Sequence, residues 1–417
     1  METSISSAGD AMSYSLENDL LILIARSELN QNLRDRVSAL LNKPLDWNYV
    51  IQTAEHHGLI PLLHKHLSSL PETTNKSYSR AIEDDAFRNT QESLYLTGQL
   101  VRLNRQFRAA GIRVLAFKGP LLSQILYGDG SLRRAGDLDL LIEPDDFKRA
   151  KELLESLGYR MTPQLSKAAE ASHFRSHCEI QFVKDQGFSV VDLHWELTPK
   201  TFKFNLPAAD VIKDSQVIDF SGESFKTFSN EDLVLYQCMH AAKHLWGRYE
   251  WICAIAELLR KNEFVNWDQV VAKATKSRGE RILALGLRLV QQFYDVPVPQ
   301  SVFERIDAEG RMLSMAIDLT PTIFGRRIAH PESSELGIYN FKIMDRKRDA
   351  FLSLTRAVFL PTLADWESIK LPPALHSLYY VYRPLRLLKI YLSIFPQKLR
   401  THRLGQPNSQ VVHSDGA

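Results

Sequence analysis

Cysteine is scarce in this sequence. Its 417 residues include three, Cys178, Cys238 and Cys253. The number is odd and the spacing is not that of a metal site, which favours reduced thiols in a cytosol over a disulfide framework. No apolar run reaches the roughly 18–20 residues that a membrane-spanning helix needs. The start METSISSAGDAMS lacks the basic and apolar stretches of a secretory leader. The expectation is therefore a cytoplasmic protein with no transmembrane segment. Net charge is also nearly absent: 51 Lys and Arg against 49 Asp and Glu leave +2. Composition thus gives no reason for a polyanion partner, and the absence of a basic run or aromatic platform argues against nucleic acid. No internal repeat or low-complexity block is present.

What remains is ordinary globular material, 44% hydrophobic and 24% charged, long enough for a full core and more than one domain. From about Ser15 to Ala110 the apolar residues recur at helical spacing. Leu16, Leu20, Leu21 and Ile24 form one set, Trp47, Val50, Ile51 and Ala54 another, with Gly58 as a stop. The stretch from Leu70 to Lys76 reads as a loop before a long helix from about Tyr78 to Ala110. His56 and His57 are adjacent on a helix and point about 100° apart, which favours structural roles over a shared metal.

The chain is organised around VLAFKGPLLSQILYGDGSLRRAGDLDLLI, residues 114–142. An apolar strand, Val114 to Phe117, runs into Lys118-Gly119-Pro120. Gly119 allows a tight turn, Pro120 suits a first helical turn, and the free N–H groups of that helix start make a phosphate seat beside the mobile cation of Lys118. Alternation in the second apolar run puts Asp137 and Asp139 on one strand face. Two carboxylates so placed repel unless a cation neutralises them, and Mg²⁺ is the usual hard ion.

A helix follows from about Asp145 to Leu157, with Asp145 and Asp146 as caps at its start. Residues 162–177 are polar and read as a loop over the site, and a strand is expected from Glu179 to Val183. The run from Phe188 to Trp195 again carries one acid, Asp192, with His194 on the same face to touch a phosphate or orient a neighbour. A short β passage is expected over Val217 to Phe228, then a helix from Asp232 to Trp246. His240 and His244 stand at i and i+4 there, but the glutamate of H-E-x-x-H is missing and no third ligand is evident, which argues against zinc. Helices separated by proline loops continue to Pro396. The segment Leu371 to Leu387 mixes aromatic, aliphatic and arginine side chains and reads as a docking helix rather than a nucleic-acid or membrane surface. Residues 401–417 are expected to be disordered.

FKGPLLSQILY…RRAGDLDLLI is similar to the pattern K-G-x-x-x-x-x-x-Y…R-x-x-x-D-x-D-L-L of an uncharacterised bacterial nucleotidyltransferase family within the DNA polymerase β-like superfamily. V-D-L-H-W at Val191 to Trp195 resembles another of its segments. The resemblance implies an α+β fold, a small mixed-sheet core flanked by N- and C-terminal helical regions. The divisions would be residues 1–110, 111–228 and 229–400, with a tail to 417. It implies Asp137, Asp139 and Asp192 as catalytic and metal-holding carboxylates for Mg²⁺ or Mn²⁺. Lys118, Gly119, Arg133 and His194 would sit at the nucleotide phosphates. The implied activity is transfer of a nucleoside monophosphate from a nucleoside triphosphate to a hydroxyl acceptor on a small molecule, sugar, protein or RNA. The alternative is a catalytically weak or inactive nucleotide-binding regulator. Two departures bear on it: the wider superfamily has Gly-Ser or Gly-Gly where Lys-Gly stands here, and Ala254 occupies an acidic position of H-x-x-x-H-x-W…W-x-x-D.

Overall fold

A computed structural model of the chain describes residues 14–70, 79–261, 265–325, 339 and 341–404. Its centre is a sheet of β1 (Val114–Ala116), β2 (Leu138–Ile142), β3 (Arg160–Thr162), β4 (Glu179–Lys184) and β5 (Ser189–His194), in the order β1-β2-β5-β4-β3. β2 and β5 run parallel, and every other neighbouring pair is antiparallel. Parallel neighbours need a long crossover, supplied by the helix Phe147–Ser156, β3, the helix Lys167–Ser176 and β4.

All five residues of β2 are buried, so both faces of the sheet are covered, as a continuous apolar run requires. Leu138, Leu140, Ile142, Val191 and Leu193 face one core with Leu96, Leu100, Leu103 and Phe107 of the long helix Ser79–Ala109. Leu115, Phe117 and Leu141 belong to a second, larger core. That core joins Leu20, Ile24, Val50 and Leu63 of the N-terminal helices to Leu235, Ile252 and Leu285 of the C-terminal ones. The alternation that puts Leu141 in this core puts Asp139 on the same side of the sheet. The acids therefore look toward the helices that follow residue 229.

The expected β passage is a hairpin of β6 (Gln216–Phe220) and β7 (Glu223–Thr227). Ser221 and Gly222 both have positive φ, 50° and 75°, the backbone that a two-residue hairpin turn demands. Arg105 Nε donates to Glu223 Oε1 at 2.8 Å and ties the hairpin to the long helix.

Two expectations need correction. Residues 162–177 include the helix Lys167–Ser176, capped by Ser166, whose hydroxyl accepts the Ala169 N–H at 3.3 Å. It buries Ala169, against Trp366 and Tyr379, together with the polar His173 and Ser176, and Phe174 is its one large apolar contact, stacked on Trp195, so no apolar period announces it. The helix expected to reach Trp246 is Asn230–Lys243. Leu245 and Trp246 then adopt left-handed backbone, φ 56° each, and Trp246 turns inward to donate to Tyr339 Oη at 2.9 Å. Gly286 makes room, since a Cβ there would stand 3.1 Å from Trp246 and 2.5 Å from Cys238 Sγ.

All three cysteines are free and buried. Among the described residues no helix is long and apolar enough to cross a membrane. The final helix spans Tyr379–Leu404. The loop expected at 70–76 and the tail expected at 401–417 fall largely outside the described residues.

Candidate active site

The parallel register places Asp139 opposite Asp192 and Leu141 opposite His194. The antiparallel pairing of β4 with β5 adds Gln181 beside Asp192 and Glu179 beside His194. Asp137 precedes β2 by one residue and, with the two-residue period, joins the same face. Four segments distant in sequence thus bring Lys118, Asp137, Asp139, Glu179, Asp192 and His194 together.

Asp139 is the hub. It is 3% exposed, and its Oδ1 accepts from Lys118 Nζ at 2.7 Å and from His194 Nε2 at 3.0 Å. Burial alone would raise its pKa, but Lys118 and His194 outweigh that and hold the carboxyl well below the usual range. Its Oδ2 is buried without a hydrogen-bond partner among the described residues. Asp137 behaves oppositely. Burial, then the charges of Asp139 and Asp192, push it up to about 6 against the pull of Lys118 and Arg133. Asp192 is also raised, by burial and then by Asp139, while Gln181 Nε2 donates to its Oδ1 at 3.2 Å. One firmly ionised carboxylate flanked by two reluctant ones is a donor set short of positive charge, and an orphaned buried oxygen at its centre suits a hard divalent cation.

Lys118 lies under the rings of Phe117 and Tyr236, 5.7 Å from each centroid. Burial opposes its charge, but Asp139 and Tyr236 prevail and raise its pKa. It is an ion-pair partner in this structure rather than the mobile cation expected. Phe117 in turn stacks on Phe228, centroids 4.6 Å apart, so the floor of the site is aromatic. The turn after Lys118 depends on Gly119, at φ +60°, where a Cβ would stand 3.3 Å from the Asp137 carbonyl oxygen. The helix Gly119–Tyr127 accordingly starts against the acids. Arg133 is largely buried, with Nε 3.7 Å from Glu250 Oε2, and its charge acts on Asp137.

His194 orients Asp139 through Nε2, while its Nδ1 lies 3.0 Å from Glu179 Oε2 without hydrogen-bond alignment. Potential ligand atoms of Cys178, Glu179 and His194 lie within 4.8 Å of one another. Burial, then Glu179, pushes the Cys178 thiol up, which makes it a poor ligand because only the thiolate binds metal well.

His240 and His244 have ring centroids 4.8 Å apart and share Trp251 as a neighbour. Burial first, then nearby cations including Lys118, lowers both, His244 to about 4, so both are neutral near pH 7. No third metal-binding group joins them among the described residues. Ala254 is in the core, 1% exposed. The acids nearest it along the helix Tyr249–Lys261, Glu250 and Glu257, are buried and engage Arg248 and Arg260. His57 is structural: its Nδ1 accepts the Tyr249 N–H at 3.1 Å, and burial, then His56, lowers it to about 3.

Sequence reasoning ranked Glu179 below Asp192, for want of a following His-Trp pair, and passed over Gln181 and Tyr236. The signal for Glu179 and Gln181 was the alternation of β4 beside β5. Tyr236 stands one helical turn before His240, and only the tertiary fold brings it over Lys118.

A small mixed sheet between helical layers, with acids at the start of β2 and inside β5, is a nucleotidyltransferase core. Residues 43–295 match the family described as uncharacterised nucleotidyltransferase, and the chain belongs to that family. No curated protein matches it. Among solved structures, it is similar to the antibiotic-resistance factor ANT(2'')-Ia, at 13% identity over 43% of this chain and 91% of that one, TM-score 0.29. It is also similar to an antigenic nucleotidyltransferase-like protein from Paracoccidioides brasiliensis, at 14% identity over 51% and 96%, TM-score 0.28.

Proposed function

We propose that the chain is a nucleotidyltransferase enzyme that moves a nucleoside monophosphate from a nucleoside triphosphate to a hydroxyl acceptor on a small molecule, sugar, protein or RNA. Asp137, Asp139 and Asp192 would hold Mg²⁺ or Mn²⁺. The observation that carries this reading is the register of Asp139 with Asp192, with Asp137 two residues back and Asp139 Oδ2 buried and unpartnered. When bound, the cation would supply neutralisation of phosphate charge and polarisation of the transferring group.

The chain's own residues do the positioning. His194 and Lys118 fix the Asp139 carboxylate. The helix start at Gly119 offers backbone N–H groups to phosphate oxygens. Arg133 adds positive charge near Asp137. Asp192, opposite Asp139 and steadied by Gln181, is placed to accept the proton of an attacking hydroxyl.

The test is incubation with each α-labelled nucleoside triphosphate, Mg²⁺ or Mn²⁺ and a lysate, comparing wild type with Asp137→Ala and Asp139→Ala. Label should appear on an acceptor with wild type only. Transfer by both folded variants at the wild-type rate would remove these residues from catalysis. The second reading, a nucleotide-binding regulator without turnover, draws on Ala254 and on the Lys118–Asp139 pair, which already offsets one of the three acids. Metal-dependent nucleotide binding that needs Asp137 but yields no labelled product would select it.

A further inference from the structure

Apart from the acid face, the connection that follows β5 and two helix ends enclose a cleft of about 470 Å³. Lys200, Lys203, Arg278 and Arg356 line it. The one acid among its lining residues is Glu196, whose carboxylate accepts the Ala208 N–H at 3.2 Å and is raised by burial. Asp349, behind the cleft, takes Arg278 Nη1 on both oxygens at 3.1 Å. Arg356 donates to the Lys200 carbonyl at 3.2 Å. Among the described residues neither the Lys200 nor the Lys203 ammonium has a hydrogen bond or ion pair, although Glu196 and Asp349 are near enough to interact with their charges. Positive charge therefore exceeds negative in a concave space. The crowding registers at Lys203, lowered first by burial and then by Arg356.

The walls are fixed rather than loose. Thr198 Oγ1 donates to the Phe204 carbonyl at 2.9 Å, Lys200 N to the Ser176 carbonyl at 3.0 Å, and Asn205 N to the Ser277 carbonyl at 2.8 Å. Gly279 is required by this packing, because a Cβ there would lie 2.2 Å from the Phe204 ring. Arg278 caps the helix Trp267–Ser277 at φ 58°, ψ 46°, a left-handed backbone that a residue with a Cβ adopts at a cost. Two guanidinium groups beside two lysine ammonium groups, the latter without an ion pair among the described residues, make a cleft that an anion would stabilise.

We propose that this cleft binds the phosphate of a small phosphorylated molecule. The volume matches a small-ligand site. Guanidinium forks with lysine point charges suit the geometry and double charge of phosphate better than a single carboxylate. The aromatic side chains present, Phe202 and Phe204, are 8% and 3% exposed and offer no stacking surface for unpaired bases, which favours a small molecule over nucleic acid.

Titration calorimetry in EDTA at fixed ionic strength, with inorganic pyrophosphate and glycerol 3-phosphate as probes, tests this on the full chain. Wild type should bind saturably with one site. Lys203→Glu and Arg356→Met, each checked for fold by circular dichroism, should each weaken binding about tenfold or more, from loss of a charge-assisted contact. The Lys203 variant leaves the Arg356–Lys200 bond intact and so separates lost charge from a loosened loop. Asp137→Asn should bind as wild type, which keeps this outcome separate from failure of the proposed transferase site. Tighter binding of pyrophosphate would assign a free polyphosphate ligand, and tighter glycerol 3-phosphate a phosphate monoester. The proposal is overturned by no saturable binding, by unchanged affinity in both cleft variants, or by loss in Asp137→Asn instead. It is overturned too if a single-stranded oligonucleotide binds tighter than either probe with a steep salt dependence.

Discussion

At the scale of single residues, the pair Lys118–Asp139 sets the balance of the site. Its side chains are 17% and 2% exposed, and removing one member of a buried pair leaves the other charge uncompensated at a cost of about 3–5 kcal/mol. Lys118→Met should destabilise by less than that, because His194 still donates to Asp139, and Lys118→Met/Asp139→Asn by less than Lys118→Met alone. Chemical denaturation measures both, and additive losses would deny the coupling.

Asp137 gives a pH-dependent counterpart. Its folded pKa, about 6, lies above the ordinary 3.8, so the folded state binds the proton more tightly than the unfolded chain. The resulting stability is present below pH 3.8 and is lost as pH rises through about 6. In EDTA, Asp137→Asn should therefore melt higher than wild type by on the order of 1 kcal/mol at pH 8. The gap should close on acidification to pH 4. A variant that is less stable throughout would mean that the carboxylate is already compensated. These acids were legible in the sequence because an acid inside an apolar, alternating run has few inexpensive explanations. Glu179 was less legible, because no His-Trp pair follows it in its strand and its contact with His194 depends on which strand lies next to β5.

At the scale of elements, β2 is the most deeply placed strand. Leu140, 2% exposed, packs in the core shared with the long helix Ser79–Ala109. Leu140→Ala should cost about 2–5 kcal/mol, read as a shift in denaturation midpoint. A loss below 1 kcal/mol would mean that the core collapses to fill the space. Strands β1, β2 and β5 were readable from their apolar runs, as was the long helix from its period. The helix Lys167–Ser176 was not, because alanine and histidine supply its buried side and the amphipathic pattern is faint. The inward turn at Leu245 and Trp246 was equally hidden, since the space left by Gly286 lies 40 residues further along the sequence.

At the scale of the whole molecule, the N- and C-terminal helices share a single core with Phe117, Leu122 and Leu141. The three regions marked out along the sequence are therefore not three independent packing units. A fragment of residues 111–228 would expose that face of the sheet, and it should lack the dispersed amide spectrum of a folded domain. A well-dispersed spectrum would show that the sheet needs no helical cover. Strand order and the shared core are long-range properties, and neither periodicity nor motif spacing encodes them directly.

The parallel pairing of β2 with β5 has a consequence in time. Asp139 and His194 are 55 residues apart, and the crossover between them includes β3, β4 and two helices. Contacts of such separation form late, since loop closure must precede the contact energy. Until that crossover is seated, Asp139 and Asp192 are two solitary carboxylates on a fluctuating chain. Capture of the proposed cation during refolding should therefore lag the recovery of helical signal, and the site would serve as a clock for the last step of assembly.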